Sequence, residues 1–196
     1  MSSRDAIFEA IRRNRPAGDF PHPVVPLFDD APPQDLRPQF IQTLQRMGGK
    51  LSEPRNGDPF ADLKDMQAQN PGKILSVVPE FQGDTSLEDN TLPADLADVE
   101  IGVVRAAFGV AETGSVCFTD RLLKINTLGY LPQHLFVLLD PAKIVFNLHN
   151  AYKQPEFREG HYAVFHTGPS ATADIEGVLI RGAQGVRSLN VIFMPG

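Results

Sequence analysis

Short apolar runs, separated by turn residues and helix-forming stretches, dominate the second half of the sequence and constrain its fold most strongly. They are KILSVVP (73–79), VEIGVVRAAFG (99–109), GSVCFT (114–119), HLFVLLD (134–140), HYAVFHT (161–167) and SLNVIFMPG (188–196). Each run has the length of a β-strand and is bounded by turn residues. Strands that alternate with helices are typical of an α/β fold. We therefore predict an α/β domain with a mostly parallel sheet and flanking helices.

The first 72 residues are predicted to be mainly helical. A first helix begins at Ser2 or Ser3, because serine is a preferred N-cap. The elements that follow are an irregular arm with seven prolines over 16–38, a helix near 37–49 and a helix near 58–69. We assign residues 1–72 to an N-terminal helical and Pro-rich arm packed on the core, and residues 73–196 to the core itself, in a single domain.

A further helix is predicted within DPAKIVFNLHNAYKQ (140–154). Asp140 is a suitable N-cap, and Pro141 suits the first helical position. Ile144 and Leu148 then recur at helical spacing.

Cysteine and histidine usage limits the metal chemistry that this chain can support. Cys117 is the single cysteine, so an intrachain disulfide, a four-thiolate zinc site and a four-cysteine iron–sulfur cluster are excluded within the chain. None of the five histidines has HExxH context. We predict no metal site and no cofactor held by this chain alone.

Charge and hydropathy argue against nucleic-acid and membrane partners. The net charge is −6 and the pI is near 5.3, whereas a general nucleic-acid binder needs a basic face. No apolar run approaches the ~18 residues of a membrane span, and the N-terminus lacks a signal-peptide core. A cytoplasmic protein is expected. Residues 51–100, with eleven acidic and three basic side chains, are interpreted as a solvated surface or as a docking face for a basic partner.

The segment AETGS (111–115) connects two apolar runs and is the first candidate site. Glu112 at a strand end can act as a base or nucleophile. Thr113, Gly114 and Ser115 can supply donors to an oxyanion. The same residues also fit a hairpin turn with Gly114 at positive φ, and both interpretations stay open.

The segment TGPSATADIE (167–176) is the second candidate site. Ser170 or Thr172 can cap a helix, with Asp174 and Glu176 in its first turn. In the functional interpretation, the backbone amides and hydroxyls from Gly168 to Thr172, including Pro169 in the turn, form an anion site at this helix start. We expect that loop to lie beyond the carboxyl end of a strand, where ligands of α/β sheets collect.

These motifs together resemble the LUD (lactate-utilisation) domain family. The resemblance is carried, in order, by AETGSV (111–116), LPQH (131–134), TGPSATADIE (167–176) and RGAQGVRSLNVIFM (181–194). It implies a fold related to ribose-phosphate isomerases, glucosamine-phosphate deaminases and CoA transferases. It also implies a role in oxidising L-lactate to pyruvate beside partner proteins that carry iron–sulfur clusters. Gln184 stands where the family usually has a histidine, which removes a titratable group but keeps hydrogen-bonding capacity.

Two functional hypotheses follow, beside a purely structural role for both turns. In the first, the protein is a component of lactate oxidation that binds a small anion or a phosphate-containing ligand and performs little chemistry itself. In the second, it is a stand-alone enzyme in which Glu112 is the base or covalent carboxylate and Asp174 assists. The turn from Thr113 to Ser115 and the loop from Gly168 to Thr172 would then frame the reacting centre.

Overall fold

The computed structural model describes residues 2–88, 90–174 and 176–196. Its α-helices are α1 (Ser3–Asn14), α2 (Arg37–Arg46), α3 (Ala61–Gln69), α4 (Asp120–Leu123), α5 (Leu148–Ala151) and α6 (Glu156–Glu159). Its strands are β1 (Lys50–Leu51), β2 (Lys73–Ser76), β3 (Val99–Arg105), β4 (Phe108–Val110), β5 (Ser115–Thr119), β6 (His134–Leu139), β7 (Ile144–Val145), β8 (Ala163–His166), β9 (Ala171–Thr172), β10 (Ile180–Arg181) and β11 (Ser188–Phe193). Short 3-10 turns cover Pro93–Leu96, Asn126–Gly129 and Pro141–Lys143.

A five-stranded parallel sheet forms the centre of the fold, in the order β1-β11-β6-β3-β2. Its inner strands are apolar on both faces, as expected for parallel strands covered on both sides. One face carries Val103, Phe136 and Ile192, which pack in a cluster with Leu63 of α3. The other face packs against α2. The predicted α/β fold with a mostly parallel sheet and flanking helices is confirmed.

A second sheet of four strands, in the order β7-β4-β5-β8, follows directly from the first. Only Ala106 and Ala107 separate β3 from β4, so the chain passes from one sheet to the other without a loop. The β4–β5 and β5–β8 pairs are antiparallel, and the β4–β7 pair is parallel. Sequence patterning did not indicate this division into two sheets.

Helix α2 joins the parallel sheet to the turn that follows β4. Phe40 and Leu44 are fully buried in the cluster shared with that sheet. Thr43 is also buried, and its hydroxyl donates to the carbonyl of Ala111 at 2.8 Å. Contacts on α2 therefore fix the turn 111–114 relative to the sheet.

The helix predicted within 140–154 is wrong over most of its length. Asp140 is an N-cap as predicted, because its carboxylate accepts from the amide of Ala142 at 2.9 Å. The turn that it caps is a short 3-10 element, and Ile144 and Val145 then form β7 beside Gly109 and Val110. Pairing with β4 thus overrides the local helical spacing, and only α5 remains helical.

The N-terminal helix α1 is exposed, whereas the Pro-rich arm that follows it is hydrogen-bonded to the domain. Ser2 caps α1 in a capping box with Asp5, as the sequence predicts, but no residue of α1 is buried. The Pro-rich arm is held where the side-chain amide of Asn147 donates to the carbonyls of Leu27 and Phe28 at 2.7 and 3.2 Å.

Candidate functional site

The turn after β4 is packed against the backbone of α2. Gly114 has a φ of +66° and its amide donates to the carbonyl of Val110 at 2.9 Å. A Cβ at this position would lie 2.2 Å from the backbone nitrogen of Leu44. Glycine is therefore required here by conformation and by space.

The loop after β8 approaches the same helix at its C-terminal end. Gly168 has a φ of +77°, and a Cβ there would lie 2.2 Å from the carbonyl oxygen of Met47. Gly168 and Pro169 are both buried. Helix α2 is thus the common support of the two loops that carry the candidate motifs.

A chain of three hydroxyl groups connects the two loops directly. The hydroxyl of Ser115 lies 2.7 Å from that of Thr113 and 2.6 Å from that of Thr167. Ser115 is only 1 % exposed, while Thr113 and Thr167 are partly exposed. Thr167 was not predicted as a site residue, although it opens the motif that contains Gly168.

The helix predicted to begin in TGPSATADIE is wrong. Ala171 and Thr172 form β9, which pairs in an antiparallel hairpin with β10. The hydroxyl of Thr172 donates to the carboxylate of Asp174 at 2.8 Å and lies 3.3 Å from the amide of the same residue. Glu176 lies in the turn region with a φ of +55°. Ser and Asp in this order favour a local turn as readily as a helix cap. Because the described residues of this segment form a hairpin strand and a turn, they offer no helix N-terminus to an anion.

The position of this loop in the sheet agrees with the expectation only in part. The amide of Ser170 donates to the carbonyl of Val186, which comes just before β11, and the amide of Arg187 donates to Gln133, just before β6. The loop follows the carboxyl end of β8, yet it lies beside the amino ends of the parallel strands β6 and β11. The loop thus follows the carboxyl end of a strand, as expected, but that strand belongs to the second sheet and not to the parallel one.

Arg181 supplies a positive charge near these loops and was missed by sequence reasoning. A Cβ at Gly48 would lie 3.0 Å from Arg181 Nη2, so the guanidinium covers Gly48, which directly follows Met47. A cation is favourable at this C-terminal end of α2 because the helix dipole is negative there. Among the described residues, the guanidinium has no recorded hydrogen bond or ion pair. Its only sequence signal is its position before the turn at Gly182.

The remaining predicted residues lie at the rim. One carboxylate oxygen of Glu112 accepts from the amide of Leu148 at 3.0 Å, which ties the turn to the start of α5. Glu112, Asp174 and Gln184 are exposed. A Cβ at Gly185, next to Gln184, would lie 3.2 Å from Ser170 Cβ, so the turn 182–185 adjoins the TGPS loop.

One partly buried titratable side chain adjoins the site. His166 precedes Thr167 and packs on the rings of Phe118 and Tyr130, and its buried Nε2 has no hydrogen-bond partner within the described part of the chain. Burial lowers the pKa of His166 to about 4, so the imidazole is neutral at physiological pH.

The described residues form neither a metal-ligand cluster nor a membrane-spanning helix. Within residues 2–88, 90–174 and 176–196, no group of three or more His, Cys, Asp or Glu side chains could hold a metal ion. Over the same residues, no helix combines the length and the apolar character needed to cross a membrane.

Comparisons with known proteins support the fold. A crystal structure of a DUF162 family protein from Deinococcus radiodurans superposes with a TM-score of 0.57, over 81% of this chain and 95% of that one, at 16% identity. A protein of Neisseria meningitidis serogroup B, described as Uncharacterized protein NMB1437, is 31% identical over 98 residues. That alignment covers 48% of this chain and only 42% of the relative.

The fold and the site together define an α/β protein in which two loops meet on one helix beside a parallel sheet. The sequence model of the LUD domain matches residues 44–194. The chain belongs to the LUD domain family, which is associated with lactate utilisation, and the predicted resemblance is confirmed.

Proposed function

We propose that the protein is a component of L-lactate oxidation to pyruvate that binds a small anionic ligand and works with iron–sulfur partner proteins. Membership of the LUD domain family supports the process. Conversion of lactate to pyruvate releases two electrons and two protons, so an electron acceptor is needed. Four-cysteine clusters are a common acceptor, and the single cysteine of this chain cannot ligate one. The proposal therefore assigns electron transfer to partner proteins.

The observation that carries the ligand proposal is the hydroxyl chain formed by Thr113, Ser115 and Thr167. Gly168, which follows Thr167, lies against Met47. Arg181 lies against Gly48, the residue after Met47, at the end of the helix that supports both loops. The guanidinium is therefore connected to the hydroxyl chain through neighbouring residues. An arginine fork binds a carboxylate or phosphate through two parallel hydrogen bonds. Hydroxyl groups can donate to or accept from a 2-hydroxyl or a 2-keto oxygen. A small 2-hydroxy or 2-keto acid fits these donors.

The ligand proposal is tested by titration calorimetry of the purified protein with L-lactate, pyruvate and inorganic phosphate. Loss of one charge-assisted contact costs about 1.5–3 kcal/mol, so Arg181→Gln is expected to weaken binding roughly tenfold or more. Arg13→Gln, in the fully exposed α1, is the matched control and should bind as the unmodified protein does. Equal affinity of Arg181→Gln and the control for all three anions would refute this site.

The partner proposal is tested by affinity purification from cells grown on L-lactate. A cysteine-rich protein with the absorption of an iron–sulfur cluster is expected to co-purify, and the isolated chain should not oxidise lactate. The alternative is a stand-alone enzyme that uses Glu112. Turnover by the isolated chain that is lost in Glu112→Gln would replace the present proposal with that alternative.

A further inference from the structure

Three polar side chains meet at the amino ends of the parallel strands, outside the site described above. Ser188 and His134 are register partners on β11 and β6, and Glu100 precedes their neighbour on β3. The hydroxyl of Ser188 lies 2.8 Å from His134 Nδ1, and Glu100 Oε1 lies 3.7 Å from His134 Nε2. Neither Glu100 nor Ser188 was singled out from the sequence.

The contacts favour one placement of the protons on His134 and Ser188. Glu100 next to Nε2 favours the tautomer of His134 that is protonated there, which leaves Nδ1 as an acceptor. The side-chain amide of Asn190 donates to Ser188 Oγ at 3.0 Å. Because that donor occupies one lone pair of the oxygen, the hydroxyl proton of Ser188 is free to point at Nδ1. This is the arrangement of a nucleophile, a base and a group that orients the base.

Burial keeps the imidazole of His134 in the basic form. Burial, and more weakly the guanidinium of Arg187, lower the pKa of His134, while the carboxylate of Glu100 opposes them. The base is therefore neutral near pH 7 and can accept a proton. The side chain of His134 is 17% exposed and that of Glu100 is 29% exposed, so the group is accessible from solvent.

Two further donors could assist a reaction at Ser188. Asn190 is almost fully buried, and its side-chain amide donates to Ser188 Oγ, which holds the nucleophile in place beside the imidazole. The guanidinium of Arg187 has no recorded hydrogen bond or ion pair among the described residues. Its stem packs over Gly182, where a Cβ would lie 2.3 Å from Arg187 Cγ. An anionic group on a substrate would be attracted there.

The cluster adjoins the candidate anion site at the amino ends of β6 and β11, but its polar side chains lie on the other face of the parallel sheet. Ser188 and Asn190 alternate with Leu189 along β11, and they share the face of Ile192, which packs with α3. The hydroxyl chain, by contrast, belongs to loops supported by α2 on the opposite face of the sheet. Variants at Ser188 or His134 therefore change none of the side chains of the hydroxyl chain.

We propose that Ser188, His134 and Glu100 form a second, acyl-transferring centre that acts on small esters or thioesters bearing a carboxylate or phosphate. Ser188 Oγ bonds to the acyl carbon while its proton passes to His134 Nδ1. The carbon–oxygen or carbon–sulfur bond then breaks, and the leaving group takes that proton. Water attacks the acyl-serine next, again losing a proton to Nδ1, which returns it to Ser188 Oγ. The products are a free acid and an alcohol or thiol, and no redox partner is needed.

The first test labels the unmodified protein with a fluorophosphonate and maps the modified peptide by mass spectrometry. Stoichiometric labelling at Ser188 is expected, and it should fall in Ser188→Ala but not in Ser86→Ala, a matched change at an exposed serine. Absence of label at Ser188 in the folded, unmodified protein overturns the proposal and requires no variant to fold.

The second test follows hydrolysis of p-nitrophenyl acetate and of p-nitrophenyl hydrogen succinate. His134→Gln is expected to lower kcat about 100-fold or more. The kcat/KM of the unmodified protein should be level near pH 7 and fall only in acid, because the pKa of His134 is below its ordinary value. Arg187→Gln should raise KM for the succinate ester and leave that for the acetate ester unchanged. Hydrolysis that survives Ser188→Ala or His134→Gln at full rate overturns the proposal.

Discussion

Replacement of Gly114 by alanine is expected to lower the free energy of unfolding by about 2–5 kcal/mol. The φ of +66° at Gly114 costs an L-residue about 1–2 kcal/mol. The added methyl group would lie 2.2 Å from the backbone nitrogen of Leu44 and 2.5 Å from its Cα. These atoms belong to the backbone of α2 and cannot rotate away, so overpacking adds about 1–3 kcal/mol. The methyl group would also push the turn with Thr113 and Ser115 away from the helix.

The measurement is urea unfolding, with thermal unfolding as a second readout. Each kcal/mol shifts the Tm of a domain of this size by about 2–4 °C. Gly57→Ala is the matched control, because Gly57 has a φ of +80° but no atom within 4 Å of the added methyl group. It should lose only the conformational part, about 1–2 kcal/mol. If Gly114→Ala costs no more than Gly57→Ala, the close packing of this turn on α2 is refuted.

Two further perturbations test the partly buried histidine and the N-terminal helix. The pKa of His166 is about 4 in the folded protein against 6.5 ordinarily, so the unfolded chain binds the proton more readily between these values. The free energy of unfolding should fall from pH 6.5 toward pH 4 by up to about 3 kcal/mol, at ~1.4 kcal/mol per pH unit. Urea unfolding at each pH measures this loss. The same pH dependence in His166→Phe would contradict the assignment to His166. Deletion of residues 2–14 should change stability by less than about 0.5 kcal/mol, since α1 buries nothing. A larger loss in the same assay would mean that α1 packs on the domain.

The strands were predictable where apolar runs are long and buried on both faces. Residues 134–139 and 188–193 lie inside the parallel sheet, and burial on both sides demands the continuous Val, Leu, Ile and Phe that identified them. The caps at Ser2 and Asp140 were also predictable, because capping depends on neighbours three residues away or fewer.

The errors occurred where a distant partner decides the structure. Ile144 lies at helical spacing from Leu148. Pairing with β4 nevertheless makes residues 144 and 145 a strand. Thr172 and Asp174 bond to each other in a turn, because residues 180 and 181 return to pair with 171 and 172. Local chemistry is nearly the same for both outcomes, so the sequence could not separate them.

The candidate site was predictable in part for a related reason. Gly114 and Gly168 were identified because each lies in a candidate turn or loop next to an apolar run. Arg181 and Thr167 were not, since their importance depends on where α2 ends relative to both loops. That position is set by packing of α2 between β1 and the turn 111–114, which no motif encodes.

The order of strands has a consequence for how the chain folds during synthesis. β11 is the strand nearest the C-terminus, yet it lies inside the parallel sheet between β1 and β6. On the ribosome, β6 must therefore wait with one edge unpaired, and β1 without its strand partner, until residues 188–193 emerge. Exposed strand edges recruit other chains, and nascent chains grow by only about 5–20 residues per second. The apolar edge of β6 is thus open to pairing with other chains until β11 is translated.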